Sequence, residues 1–214
     1  MSLAANDGLL KTPVSPRSPK PMCNLYTQTR AVEAVRRLFA ARQMPLTFPE
    51  GVPNLAPTDI RITDPGPIVR SVSGQAGSYE MVIRRWSWPG PGGRPVFNFR
   101  SDGREFDSGR CLIVADGFYE FTAPDDPKQK KKRRWLFADP EGEMLGIAGL
   151  WRAQPQVGEA FTMLTTEPGP DVAPYHGRQV AVPGADQWKP WLDGLPAGEL
   201  LRPAVAGTLL VRSA

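Results

Sequence analysis

Between residues 68 and 182 the sequence is a succession of short apolar segments broken by Gly, Pro and Asp, and this spacing restricts the fold more than any other feature. Strands are expected at 68–72, 79–84, 95–98, 110–121, 134–138, 144–150, 161–166 and 179–182. Strands that follow one another through tight turns, with few helical stretches between them, favour a mixed or antiparallel sheet over a doubly wound parallel one. The expectation is an α+β fold, and a chain of 214 residues can bury its core as one domain.

Ahead of the strands, Val32, Val35, Leu38 and Phe39 recur at helical spacing behind Thr29. An amphipathic helix of about four turns is expected over 29–43, capped by that threonine. Its other face carries Arg30, Glu33, Arg36, Arg37 and Arg42, a pattern that suits a solvated surface. Pro45, Pro49 and Pro53 then force a loop. Short helices are expected over 185–192 and 197–201, with Trp188 and Trp191 at i and i+3 packing the core. Residues 1–21 hold four prolines and no apolar periodicity, and suit a disordered extension or leader outside a domain at 22–214.

No window approaches the roughly 18–20 apolar residues of a membrane helix. Two cysteines, Cys23 and Cys111, argue for a reducing compartment rather than a disulfide scaffold. With one histidine in the chain they leave too few soft ligands for a structural zinc, so neither metal nor cofactor is expected. The net charge is +4, of which residues 1–22 carry +2, so overall charge points only weakly to a polyanion.

Four stretches carry residues suited to chemistry. In Met22-Cys23-Asn24-Leu25-Tyr26 the cysteine follows a methionine, so a start or cleavage at that point would present a thiol and a free α-amine on adjacent carbons. An α-amine of pKa roughly 7.7–8.0 is partly neutral near pH 7 and condenses with aldehydes, after which the thiol can close a thiazolidine ring. The same cysteine also suits a small buried apolar residue at a strand start. In Phe97-Asn98-Phe99-Arg100, alternation puts Asn98 and Arg100 on one face. In the run from Arg110 to Phe121, Glu120 stands between aromatics, where desolvation raises a carboxyl pKa as a general acid requires. His176, within Pro174-Tyr175-His176-Gly177-Arg178, is the one imidazole available.

Met-Cys, Asn54-Leu55-Ala56-Pro57-Thr58, a tryptophan segment before Asn98-Phe99-Arg100-Ser101, then Arg110-Cys111-Leu112-Ile113-Val114-Ala115-Asp116-Gly117-Phe118-Tyr119-Glu120, then Thr165-Thr166 and His176-Gly177-Arg178 occur in this order. Together they resemble the SRAP (SOS-response-associated peptidase) family over roughly residues 22–212. The resemblance implies a barrel-like sheet core flanked by a few helices. It also implies a cytoplasmic or nucleoid protein that binds single-stranded DNA as a monomer and crosslinks to abasic sites through an N-terminal cysteine. By position, Cys23 matches the crosslinking cysteine, Asn98 the asparagine that positions it, Glu120 the acid/base and His176 the assisting histidine. Arg100 and Arg178 match DNA-contacting arginines, Pro57 a loop packed on bases, and Trp86 and Trp88 fall in the tryptophan segment that borders the DNA.

The departures are specific. Asn24 and Leu25 replace the usual Gly-Arg after the cysteine, the segment from Arg85 to Gly93 is shorter and richer in glycine, and His176 is followed by Gly177 rather than Asp. With residues ahead of Cys23 its nitrogen is an amide and cannot form the ring. The run Lys128-Gln129-Lys130-Lys131-Lys132-Arg133-Arg134 suits the loop of a hairpin after Glu120, where it would be solvated or attract phosphates. Besides covalent DNA capture, two alternatives stand: a cysteine peptidase, limited in one form to cutting before Cys23, and a single-strand binder without chemistry.

Overall fold

The computed structural model describes residues 23–126 and 128–214, and the extension expected over 1–21 lies outside the described residues. In chain order the first strands are β1 (Leu25–Gln28), β2 (Leu46–Thr47), β3 (Thr58–Arg61), β4 (Pro65–Ser71) and β5 (Tyr79–Trp86). Next come β6 (Trp88–Pro89), β7 (Pro95–Val96), β8 (Asn98–Arg100), β9 (Arg110–Ala115) and β10 (Gly117–Thr122). The last are β11 (Arg133–Ala138), β12 (Leu145–Gln154), β13 (Gly158–Thr166), β14 (Gln179–Val180) and β15 (Leu210–Ser213). The helices are α1 (Val32–Ala41), α2 (Trp188–Leu192) and α3 (Ala197–Leu200).

One antiparallel sheet has the order β15-β11-β10-β1-β3. The larger has the order β14-β13-β12-β9-β4-β5-β2. Parallel pairing of β13 with β5, Phe161 opposite Trp86, closes β5, β4, β9, β12 and β13 into a barrel. The α+β fold with a mixed, barrel-like core is therefore present.

Side-chain alternation in β9 explains why both faces of the barrel wall are apolar. Leu112 and Val114 join a core with the helices, including Val35 and Phe39 of α1 and Trp188 and Trp191 of α2. Cys111, Ile113 and Ala115 point the other way, into a second core with Tyr26, Phe118 and Phe137 of the smaller sheet. Burying Val35 and Phe39, both about fully enclosed, is worth roughly 1.5–3 kcal/mol each.

Several expectations are corrected. The stretch 110–121 is two strands, because the chain passes from the larger sheet to the smaller at Asp116. Thr29 does not cap α1, whose N-cap is Ala31; its amide and hydroxyl instead donate to Asp116 Oδ2 at 2.5 and 2.8 Å. The segment 95–98 divides at Phe97, and β1, β3 and β15, which lack a long apolar run, are strands through pairing with their neighbours. The basic run does lie in the β10–β11 hairpin, with Arg133 and Arg134 already on β11. No helix of the described residues is long and apolar enough to cross a membrane.

Candidate functional site

Cys23 lies one residue ahead of Asn24 and β1, completely buried where β1 meets β10. Glu120 points inward from β10 on the face shared with Phe118, and its carboxylate Oε1 accepts the backbone N–H of Cys23 at 3.1 Å. From the opposite side, Asn98 at the start of β8 donates through Nδ2 to the Cys23 carbonyl at 3.0 Å. The main chain of Cys23 is thus clasped at both ends by side chains from distant strands. The thiol donates to the Leu25 carbonyl at 3.4 Å.

The electrostatics follow from enclosure. Glu120 is 1% exposed, and burial pushes its carboxyl up to about 8, offset in part by the bond from the Cys23 N–H. Burial, and secondarily the Glu120 charge, push the Cys23 thiol well above its ordinary range, against smaller opposing hydrogen bonds from the backbone. Asn98 Oδ1 is buried and accepts no hydrogen bond from a described residue.

The other expected residues are distributed around this clasp. His176 is nearly buried, its amide donates to Val172 O at 3.0 Å, and its Nδ1 is 3.1 Å from both the amide nitrogen and the carbonyl of Arg178. That leaves Nε2 as the ring nitrogen without a partner among the described residues, and His176 bonds to neither Cys23 nor Glu120. Arg178 spends its Nη2 on Asp102 at 2.5 Å and on Thr165, whose carbonyl and hydroxyl accept at 2.8 and 3.1 Å. A phosphate at Arg178 would have to compete with Asp102. Arg100 is exposed at the end of β8, and Pro57 is exposed just before β3.

The tryptophans are corrected. Trp86 is completely buried, edge-on to Tyr26 at 5.3 Å, with its Nε1 donating to Phe97 O at 2.9 Å. Trp88 is 4% exposed beneath the Arg152 guanidinium, 4.2 Å from the ring centre. Neither ring offers a free face to a base, because the β5–β6 turn carries both into the interior.

Two residues of the site were not singled out from sequence. Trp135 is the register partner of Glu120 and is anchored by Nε1 donating to Thr122 Oγ1 at 2.9 Å. Tyr175, next to His176, packs on Trp135 at 4.8 Å between ring centres. The period-2 pattern puts Trp135 on a strand, but only the register puts it against Glu120. On the outer side of β10, Lys131, Lys132, Arg133 and Arg134 line a groove of about 830 Å³ with Phe121 and Asn24. Among the described residues no group of three or more His, Cys, Asp and Glu side chains converges as a metal site.

Residues 22–210 match the family described as SOS response associated peptidase. No curated protein matches the chain. Three crystal structures share its fold. A protein from Bordetella bronchiseptica is 24% identical with a TM-score of 0.66, over 90% of this chain and 99% of that one. A protein from Bacteroides thetaiotaomicron is 14% identical with a TM-score of 0.67, over 89% and 91%. A phage-related protein from Bordetella bronchiseptica is 16% identical with a TM-score of 0.67, over 90% and 94%.

Proposed function

The chain belongs to the SOS response associated peptidase family, which ties it to the DNA-damage response, and we propose that it captures abasic sites in single-stranded DNA covalently through Cys23. It would act in the cytoplasm on the nucleoid, as a monomer, once Cys23 is the first residue. The observation that carries this reading is the hydrogen bond between the Cys23 nitrogen and Glu120, a carboxyl that burial holds at about 8.

A free α-amine at that nitrogen attacks the aldehyde carbon of a ring-opened abasic sugar. The C–N bond forms, a proton reaches the departing oxygen, and water leaves. Glu120, protonated near neutral pH and within hydrogen-bond distance of the nitrogen, is the group suited to supply and recover that proton. The thiol then adds to the imine carbon and its proton passes to the nitrogen, closing a five-membered ring. Asn98 holds the Cys23 carbonyl, so the amine and thiol keep a fixed direction while the ring forms. Arg100, exposed on the strand that carries Asn98, suits a phosphate contact.

A cysteine peptidase of general specificity is the weaker reading. Such a nucleophile needs a lowered thiol pKa and a base in reach, whereas this thiol is raised and bonds to a backbone carbonyl. Cleavage limited to the bond before Cys23 is compatible with the same geometry, since the departing group would be the nitrogen that faces Glu120.

The test uses protein beginning at Cys23 and abasic single-stranded DNA. Cys23→Ser should form an imine that borohydride traps, yet little heat-stable adduct without reductant. One residue retained before Cys23 should abolish both. Crosslinking by the amine-blocked protein, lost in Cys23→Ala, would mean that the thiol acts alone and would defeat the ring mechanism.

A further inference from the structure

A second site lies across β8 from Cys23. Asn98 reaches back to the Cys23 carbonyl, whereas the next residue, Phe99, faces the opposite way, edge-on to Phe106 at 6.3 Å between ring centres. There Trp88, Phe99, Arg104, Phe106, Trp151 and Arg152 line a cleft of about 490 Å³, within the range of small-molecule sites. Its two arginines are exposed and each is laid on an aromatic ring, Arg104 5.0 Å from the centre of Phe99 and Arg152 4.2 Å from that of Trp88.

Neither guanidinium forms an ion pair or a side-chain hydrogen bond with a described residue. The one carboxylate in the cleft, Glu105, is already engaged: it accepts the backbone N–H groups of Ala197 at 2.6 Å and Gly198 at 3.1 Å, and lies 4.0 Å from Arg110. Two cations with no counter-ion among the described residues, each with its guanidinium carbon over an aromatic ring, offer donors to an anion and a planar group to a second ring. An Arg plane so presented accepts a stacked base as an aromatic side chain does. Simple anions would use only the charge, and neutral rings only the plane.

We propose that this cleft binds a nucleotide, with the phosphate on the donors of Arg104 and Arg152 and the base stacked on one of their outer faces. The chemistry is shared by a free nucleotide and by one unit of a strand. Arg104 lies four residues beyond Arg100, in the turn that follows β8. The site goes beyond the lesion chemistry and does not depend on Cys23.

The experiment titrates full-length protein with thymidine 5′-monophosphate, inorganic phosphate and oligothymidylate, comparing wild type, R104A/R152A and R104K/R152K. Both arginines are exposed, so the variants should keep the fold. Affinity for the mononucleotide should fall at least about tenfold in R104A/R152A. It should fall also, though less, in R104K/R152K, which keeps the charge and loses the plane. For oligothymidylate, the dependence of log affinity on log salt should weaken by up to about 1.4, at about 0.7 per lost phosphate contact. A change confined to the oligonucleotide identifies a strand unit as the occupant, and a change in both admits the free nucleotide. Unchanged binding of both ligands overturns the proposal, as does inorganic phosphate competing as well as the mononucleotide. Crosslinking to abasic DNA, assayed separately, distinguishes the two readings: a wild type that binds nucleotide through these arginines but never crosslinks loses the lesion chemistry and keeps the cleft.

Discussion

The backbone nitrogen of Cys23 donates to the carboxylate of Glu120 at 3.1 Å across 97 positions of sequence. That contact joins the cysteine that, as a first residue, would offer an amine and a thiol together to a carboxyl that burial keeps protonated near pH 7.

Glu120→Gln keeps nearly the same shape and removes the proton carrier. In protein beginning at Cys23, adduct formation on abasic DNA should slow by about 10²–10⁴-fold while affinity for intact single-stranded DNA is unchanged. Single-turnover crosslinking alongside equilibrium binding checks both halves, and a loss of affinity equal to the loss of rate would reassign Glu120 to DNA binding.

The same carboxyl should make stability depend on pH. Its folded pKa of about 8 lies above the ordinary 4.5, so below about 4.5 both states are protonated and nothing is lost. As pH rises from about 4.5 to about 8 the unfolded chain releases a proton that the folded chain keeps, and stability falls by up to about 1.4 kcal/mol per pH unit. Denaturant titrations across that window should show Glu120→Gln gaining on wild type as pH rises. A constant gap between the two would place the folded pKa near its ordinary value.

Asn98→Ala removes the donor to the Cys23 carbonyl and leaves that buried oxygen without its partner. A loss of about 1–3 kcal/mol is expected by chemical denaturation, with adduct formation slowed beyond any effect on binding. If adduct forms at the wild-type rate, Asn98 does not direct the nucleophile.

Arg100 and Arg178 should separate. Arg100→Ala should weaken single-strand binding and reduce its salt slope by about 0.7 without altering the melting temperature, because the side chain is exposed. Arg178→Ala should lower the melting temperature as well, since it strips Asp102 and the Thr165 carbonyl of their shared donor. Identical thermal behaviour of the two variants would contradict the pairing.

Gly66 packs directly on the phenol of Tyr26, and a Cβ at that position would lie 2.0 Å from the hydroxyl oxygen. That hydroxyl is buried without a partner among the described residues. Gly66→Ala alone should therefore be severely destabilising, Tyr26→Phe close to neutral, and the double variant more stable than Gly66→Ala by a coupling of roughly 0.5–3 kcal/mol. Additive effects in thermal melts would show that the clash is relieved elsewhere.

Much of this protein is local and was therefore legible in its sequence. A continuous apolar run marks the stretch from Cys111 to Ala115 as a buried strand, helical spacing marks α1, and the aromatics around Glu120 anticipate a raised carboxyl. The family resemblance rests on motifs in order along the chain, and the match over residues 22–210 agrees with it. The rest depends on which strands meet and in what register, which no local pattern specifies. Asp116 moves the chain from one sheet to the other, and that step brings Glu120 beneath Cys23. The β5–β6 turn takes Trp86 into the core, although the family resemblance places it in a segment that borders the DNA. Arg178 is paired with Asp102, and Trp135 faces Glu120, through contacts between separate segments. Sequence alone determined the residue types able to do the chemistry. Tertiary structure decided which of them share one low-dielectric space, because both burial and strand register are properties of the assembled sheets rather than of any segment.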